Sequence, residues 1–156
     1  MSRRVNFVDT SILCNLIPVP GRDQDRSEVL KEQKAKIETK EAFILPVTTI
    51  IETGNHIKQI NNGSLRRAAA NTFVEVLKMV HDESAPWRLH EFVWGTNLLD
   101  LLIKGARTGT NFVDHSVGGL GGGDLCILCE REIYMERTGI ENVFVWAKDH
   151  ELESHC

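Results

Sequence analysis

The chain has 156 residues, 42% hydrophobic and 26% charged, which fits one packed domain over residues 1–156 and excludes a disordered tail or a fibrous protein. Its longest uncharged apolar run, Ala42 to Ile51, falls far short of the roughly 20 residues a membrane-spanning helix needs. Net charge is −4, with 15 basic and 13 acidic side chains in residues 1–107 against 3 and 9 in the rest, so nucleic-acid binding would need a local basic patch.

Arg3 and Arg4 precede a short apolar stretch that Asp9 interrupts, and no small-residue cleavage site follows. We therefore expect no signal peptide and a cytoplasmic location. Val5-Asn6-Phe7-Val8 reads as the first strand. Thr10 and Ser11 are placed to cap a short helix, Ile12 to Leu16, which Pro18 and Pro20 end. Asp23 to Lys40 is a charge-rich helix with a limited apolar face of Val29, Leu30, Ala35 and Ile37. Phe43-Ile44-Leu45 is the second strand, closed by Pro46. A helix over Thr48 to Ile60 follows, with Gly54 inside it; a mid-helix glycine costs about 1 kcal/mol against alanine, which suggests close approach of a backbone or ligand there.

Asn61-Asn62-Gly63 makes a turn, and Ser64 starts the clearest helix, with Leu65, Ala69, Phe73, Val76, Leu77 and Val80 as its stripe. Arg88 to Val93 is a third strand. Thr96 caps a helix with Leu98, Leu99, Leu102, Ile103 and Ala106 on one face. Thr108 to Gly123 is polar and glycine-rich and reads as a mobile loop giving access to Asp124, with His115 solvated. Asp124 opens a helix to about Arg137, and Val143 to Trp146 is the last strand. Alternating strands and helices predict an α/β domain with a mainly parallel sheet of four or five strands and helices on both faces.

Cys126-Ile127-Leu128-Cys129 is a C-x-x-C, but it lies in an apolar helical stretch without a second pair or zinc-spaced histidines, so these read as core cysteines. Cys156, at the end of the sequence, is expected to be mobile. The glycine cluster Gly118 to Gly123 lacks the lysine of a phosphate loop, and D-T-S stands where a dinucleotide fingerprint would need glycines.

The acidic residues carry the functional signal. Asp9 directly follows the first strand, Asp149 stands three residues after the last, Asp124 starts a helix, and Glu52 lies in the first turn of another. In parallel sheets ligands bind in the crevice outside the strand ends, so these four carboxylates are candidates for one site. Such a cluster needs protons or cations to neutralise it, and oxygen ligands favour Mg²⁺ or Mn²⁺. Two such ions, about 4 Å apart, activate a water and stabilise the leaving oxygen of a phosphodiester. Capping roles stay open as well: Asp9 as an N-cap, Glu52 in a T-x-x-E box with Thr49, Asp124 as an N-cap after three glycines, and Asp149 as a solvated turn residue.

The order of VNFVDTSIL from Val5 to Leu13, LPVTTIIETGNHI from Leu45 to Ile57, GDLCIL from Gly123 to Leu128 and VFVWAKD from Val143 to Asp149 resembles the PIN-domain family, which includes the VapC-type toxins of toxin–antitoxin pairs. The resemblance implies a metal-dependent endoribonuclease using Mg²⁺ or Mn²⁺ and leaving 5′-phosphate and 3′-hydroxyl ends. It implies Asp9, Glu52, Asp124 and Asp149 as the acidic quartet, with Asp9 and Asp124 direct ligands, Glu52 and Asp149 partly water-mediated, and Ser11 supporting Asp9. It further implies an RNA substrate, an antitoxin partner and a homodimer. Ala147 stands where the family often has threonine, the stretch before Asp124 is longer and richer in glycine, and Arg22 to Glu41 forms a longer arm. Arg66, Arg67, Lys58, Lys104 and Arg107 are candidates for an RNA-binding rim, and Trp87, Trp94 and Trp146 for base stacking. Two other functions compete: a catalytically weak PIN-like interaction protein recruiting through the Asp23–Lys40 helix, and a structure-specific DNA nuclease or phosphatase on the same crevice.

Overall fold

A computed structural model describes residues 3–91 and 94–156. Four strands, β1 (Val5–Val8), β2 (Ala42–Ile44), β3 (Trp87–Arg88) and β4 (Val143–Trp146), form an all-parallel sheet in the order β3-β2-β1-β4. From β1 the chain steps outward to β2 and β3, then returns to lay β4 on the other side of β1. Reversal of direction places the connecting helices on opposite faces, because each parallel crossover is right-handed.

Helices α1 (Thr10–Leu16), α2 (Arg26–Glu38), α3 (Val47–Lys58) and α4 (Gly63–His81) belong to the outward steps. Their core gathers Val8, Phe43, Trp87 and Trp146 from the sheet with Ile12, Leu13, Val29, Ile57, Phe73 and Val76. After β3 come α5 (Thr96–Ile103), α6 (Phe112–Gly118) and α7 (Gly122–Thr138), with α8 (His150–Ser154) after β4. These cover the opposite face, where Val5, Phe7, Ile44 and Val145 meet Leu98, Leu125, Leu128 and Leu152. Alternate residues of β1 thus serve alternate cores, as the period-2 strand geometry requires. Among the described residues no helix is long and apolar enough to cross a membrane.

Several sequence expectations are corrected. Asp9, rather than Thr10 or Ser11, caps α1. No side-chain bond from Thr96 caps α5, whose N-cap is Gly95. Strand β3 has only two residues, Leu89 to Glu91 are not strand, and Phe92 and Val93 lie outside the described residues. The α5 face turns Leu98 and Leu101 inward and leaves Leu99 and Ile103 exposed, while Leu65 of α4 is exposed and Ala69, Phe73, Val76 and Val80 form its buried stripe. Thr108 to Gly123 is not one loop, because α6 lies inside it, capped by Asn111 Oδ1 accepting from Asp114 N at 2.8 Å. His115 is buried rather than solvated, with Thr108 Oγ1 at 2.7 Å from its Nε2. Gly54 has open space at its Cβ position, so no protein group approaches it. Cys156 packs against the second core rather than standing free.

Of the C-x-x-C pair, expected to be core, Cys129 joins the second core while Cys126 is only partly buried. Cys129 is buried and free, and burial pushes its thiol up to about 12 and also raises that of Cys126, which leaves both protonated and unreactive. Helix α2 is anchored by a polar network in the sheet: Lys36 Nζ donates to buried Asn6 Oδ1 at 3.1 Å, and Asn6 Nδ2 donates to Glu41 Oε1 at 3.0 Å. Gly139, at φ 73, takes the left-handed conformation that ends α7.

Candidate active site

The C-terminal ends of β1 and β4 lie side by side where the strand order reverses, and Asp9 N donates to Trp146 O at 3.0 Å across that junction. Asp9 is buried at the start of α1. Its Oδ2 accepts from Ser11 N at 3.1 Å and from Ser11 Oγ at 2.6 Å, and Ser11 Oγ in turn accepts from Lys148 N at 3.1 Å. Ser11 therefore fixes the Asp9 carboxylate and ties the segment after β4 to the segment after β1.

Glu52 reaches the same place from α3. Its Oε1 accepts from Thr10 Oγ1 at 2.6 Å, while Thr49 Oγ1 donates to Val8 O at 2.8 Å. The T-x-x-E capping box is overturned: the N-cap of α3 is Pro46, Thr49 is spent on β1, and Glu52 lies beyond the first turn. Asp124 arrives from the opposite face, in the first turn of α7, whose N-cap is Gly121. The close approach expected at Gly54 occurs instead at Gly123, where a Cβ would stand 2.5 Å from Glu52 Oε2. Glycine at 123 thus leaves the Glu52 carboxylate its place against α7.

A cleft of about 420 Å³ joins these groups, lined by Asp9, Thr10, Ser11, Glu52 and Asp124 on one side and by Arg22, His56 and Lys148 among the others. Asp149 stands outside that lining and caps α8, its Oδ1 accepting from Glu151 N at 2.9 Å. Its charge is nevertheless felt at Asp124. Burial first, then the charges of Asp9 and Asp149, push the Asp124 carboxyl up to about 6. Burial also raises Asp9, against the Ser11 hydrogen bonds that favour its ionised form, and the Glu52 charge adds to the rise. Mutual repulsion in a half-desolvated cleft is the physical state of this cluster.

Glu130 was not singled out from sequence. It projects from α7 two turns beyond Asp124, and its Oε1 accepts from Val47 N at 3.1 Å while its Oε2 accepts from Thr48 Oγ1 at 3.3 Å. A buried acid on α7 thus caps α3, so the two helices that carry Asp124 and Glu52 are held in one register. Burial pushes its carboxyl up to about 7. The signal available in the sequence was an acid directly after the apolar run Leu125 to Cys129.

The expected basic rim is not at this cleft. Lys104 pairs with Asp100 at 3.1 Å, Arg107 with Glu132 and Glu136, and Arg66 donates to Ile60 O at 2.9 Å; neither they nor Lys58 and Arg67 line it. The cations that do line it are Arg22, at the start of the charge-rich arm, and Lys148, after β4. Trp87 and Trp146 are buried, the latter donating from Nε1 to Glu32 Oε2 at 3.1 Å; Trp94 is exposed.

The chain matches no protein-family model, no curated protein and no solved structure. Nothing in those comparisons identifies a PIN domain. The site stands on its own geometry.

Among the described residues no group of three or more His, Cys, Asp or Glu side chains is placed to hold a metal ion. Yet Asp9, Glu52 and Asp124 supply only hard oxygen donors beside the hydroxyls of Thr10 and Ser11. Mg²⁺ keeps most of its water and is typically held by one or two carboxylates. Asp9 and Asp124 fit that lesser demand.

Proposed function

We propose that this chain is a Mg²⁺- or Mn²⁺-dependent endoribonuclease of the PIN type, acting in the cytoplasm. The observation that carries the reading is the meeting of Asp9 and Asp124 in one cleft at the sheet reversal, with the Asp124 carboxyl raised by burial first and then by the charges of its neighbours. Asp9 and Asp124 would hold the ion, with Glu52 and Asp149 adding charge around it. When bound, the ion neutralises the phosphodiester and acidifies a water. Ser11 keeps Asp9 oriented, and Thr10 keeps Glu52 turned into the cleft. The deciding experiment is cleavage of a mixed RNA pool with Mg²⁺ or Mn²⁺, beside an EDTA control and a single-stranded DNA pool. Cutting of RNA that EDTA abolishes supports the reading; preferential cutting of DNA replaces it with the DNA-nuclease alternative, and no cutting without Mn²⁺ binding leaves the interaction-protein alternative. A second copy of the chain and a protein antitoxin are proposed partners, supported by exposed Leu99, Ile103, Val113 and Val117 on α5 and α6.

Protons and metal compete for Asp124. Because its carboxyl is raised to about 6 in the ion-free protein, Mn²⁺ affinity measured by calorimetry should be level above about pH 7 and fall about tenfold per pH unit below about pH 6. Asp124→Asn should flatten that dependence along with weakening binding. Equal affinity at pH 5 and pH 8 would count against Asp124 as a ligand.

Gly123→Ala tests the close approach of the two helices. The obstructing atom is the end of a flexible side chain, so the fold should survive with Tm within about 3 °C. Glu52 must move, and loss of its placement should lower cleavage by about a hundredfold. Unchanged cleavage would mean that the position of Glu52 does not matter.

A further inference from the structure

The cleft does not end at the carboxylates. It runs on past His56 of α3 and Gly21-Arg22 of the loop between α1 and α2, into a second hollow that shares those three residues and adds Pro20, Gln59 and Ile60. The near end is acidic. The far end offers donors.

Arg22 is exposed, and its guanidinium makes no hydrogen bond or ion pair among the described residues. Its position is nonetheless fixed by the loop. Arg22 N donates to Val19 O at 2.9 Å, Val19 N donates to Cys14 O at 2.7 Å, and Asp25 N donates to Asn15 Oδ1 at 3.0 Å. Arg26, the nearby alternative, is used up: it donates to Asn15 O at 2.6 Å and Leu16 O at 2.8 Å, closing the end of α1. A fixed backbone presents an unpaired guanidinium in a cleft lined by the carboxylates of Asp9, Asp25, Glu52 and Asp124, joins it to none of them, and so leaves a five-donor fork free for an outside anion.

His56 faces the same stretch, one turn after Glu52 on α3. Its Nδ1 is buried and finds no partner. A proton on that nitrogen would be a buried donor with nothing to accept it, which is costlier than a bare lone pair. A ring that carries one proton therefore holds it on Nε2, the nitrogen left for the cleft. A guanidinium and a neutral N–H donor converging on one hollow match the non-bridging oxygens of a phosphodiester.

Resting on the ribonuclease reading, we propose that Arg22 and His56 form a phosphate subsite for single-stranded RNA, taking a phosphodiester neighbouring the one at Asp9 and Asp124. Acid at one end and donors at the other give the groove a direction, so the strand is threaded one way past the carboxylates. The subsite acts on binding and register, and takes no part in the reacting bonds.

The test uses the full chain and a pool of single-stranded RNA 12-mers, with KM and kcat measured across a salt series and Mn²⁺ affinity by calorimetry. Arg22→Gln should raise KM about fivefold, keep kcat within about twofold, and reduce the slope of log KM against log salt by about 0.7. His56→Phe should raise KM about threefold, while His56→Gln, which restores a neutral donor, should return close to the parent. Mn²⁺ affinity should be unchanged in all three. Cleavage by the parent with KM and salt slope unmoved in Arg22→Gln and His56→Phe overturns the subsite and leaves the ribonuclease reading intact. A fall in Mn²⁺ affinity that accounts for the lost activity also overturns it, by placing these residues with the metal. A parent that cuts no RNA overturns both.

Discussion

Asp9→Asn should cut RNA at least about a thousandfold more slowly than the parent while melting at the same temperature or slightly higher. The two Ser11 bonds both end on one oxygen of Asp9. An asparagine with its carbonyl oxygen in that place keeps both, and it caps a helix as well as aspartate does. Its amide then takes the place of the other oxygen. What disappears is a buried negative charge that burial and Glu52 already disfavour, so folding loses nothing. The measurement is initial cleavage rate with Mn²⁺ beside a thermal melt. A rate within about threefold of the parent, in a chain that melts normally, would remove Asp9 from the chemistry and the proposed site with it.

Glu130 makes a large expected contribution to how stability depends on pH, opposed by half-buried His90, which is lowered to about 4. Its carboxyl is raised to about 7 from an ordinary 4.5. Below 4.5 both folded and unfolded chains hold the proton, and nothing is lost. Between 4.5 and 7 the unfolded chain has released it while the folded chain retains it, so stability falls as pH rises. Above that range the loss is complete, about 3 kcal/mol for this group. Asp124 contributes in the same sense, and comparison with a variant isolates Glu130. Glu130→Gln keeps a carbonyl acceptor for Val47 N and removes the titration, so urea unfolding from pH 5 to pH 8 should show a shallower decline than the parent by about that amount. Glu130→Leu leaves the amide of Val47 without its buried acceptor and should cost about 2 kcal/mol at pH 5. Parallel pH profiles for parent and Glu130→Gln would show that the buried acid is not held protonated.

How far the sequence could be read differs from element to element for physical reasons. Strands β1 and β4 were legible because each is a short, mostly apolar run rich in β-branched and aromatic residues, and the carboxylates after them follow from the geometry of parallel sheets. The quartet was legible as candidates, and the structure brings Asp9, Glu52 and Asp124 to one cleft while leaving Asp149 at its margin. Helix α6 was not legible: FVDHSVG sits among glycines, and its order comes from the Asn111 cap and the burial of His115. Local propensity misread it because tertiary contacts decide it. Arg22 and His56 were not legible either. One is a charge in a loop and the other a histidine on a helix, and only the packing of Asn15, Arg26 and α3 makes them neighbours. Charge counting pointed to Lys104 and Arg107, which are spent on acids of their own surroundings.

The bond from Lys148 N to Ser11 Oγ spans 137 residues, and β4 pairs with β1 across nearly the whole chain. Contacts so distant in sequence form late, since a long loop must close before they can form. While the chain is still being made, Asp9 has neither its Ser11 clamp secured from behind nor the strand that fixes its own amide. Under the proposed function, RNA cleavage would therefore wait for β4, because the cleft that holds Asp9 is closed only when that strand has been laid beside β1.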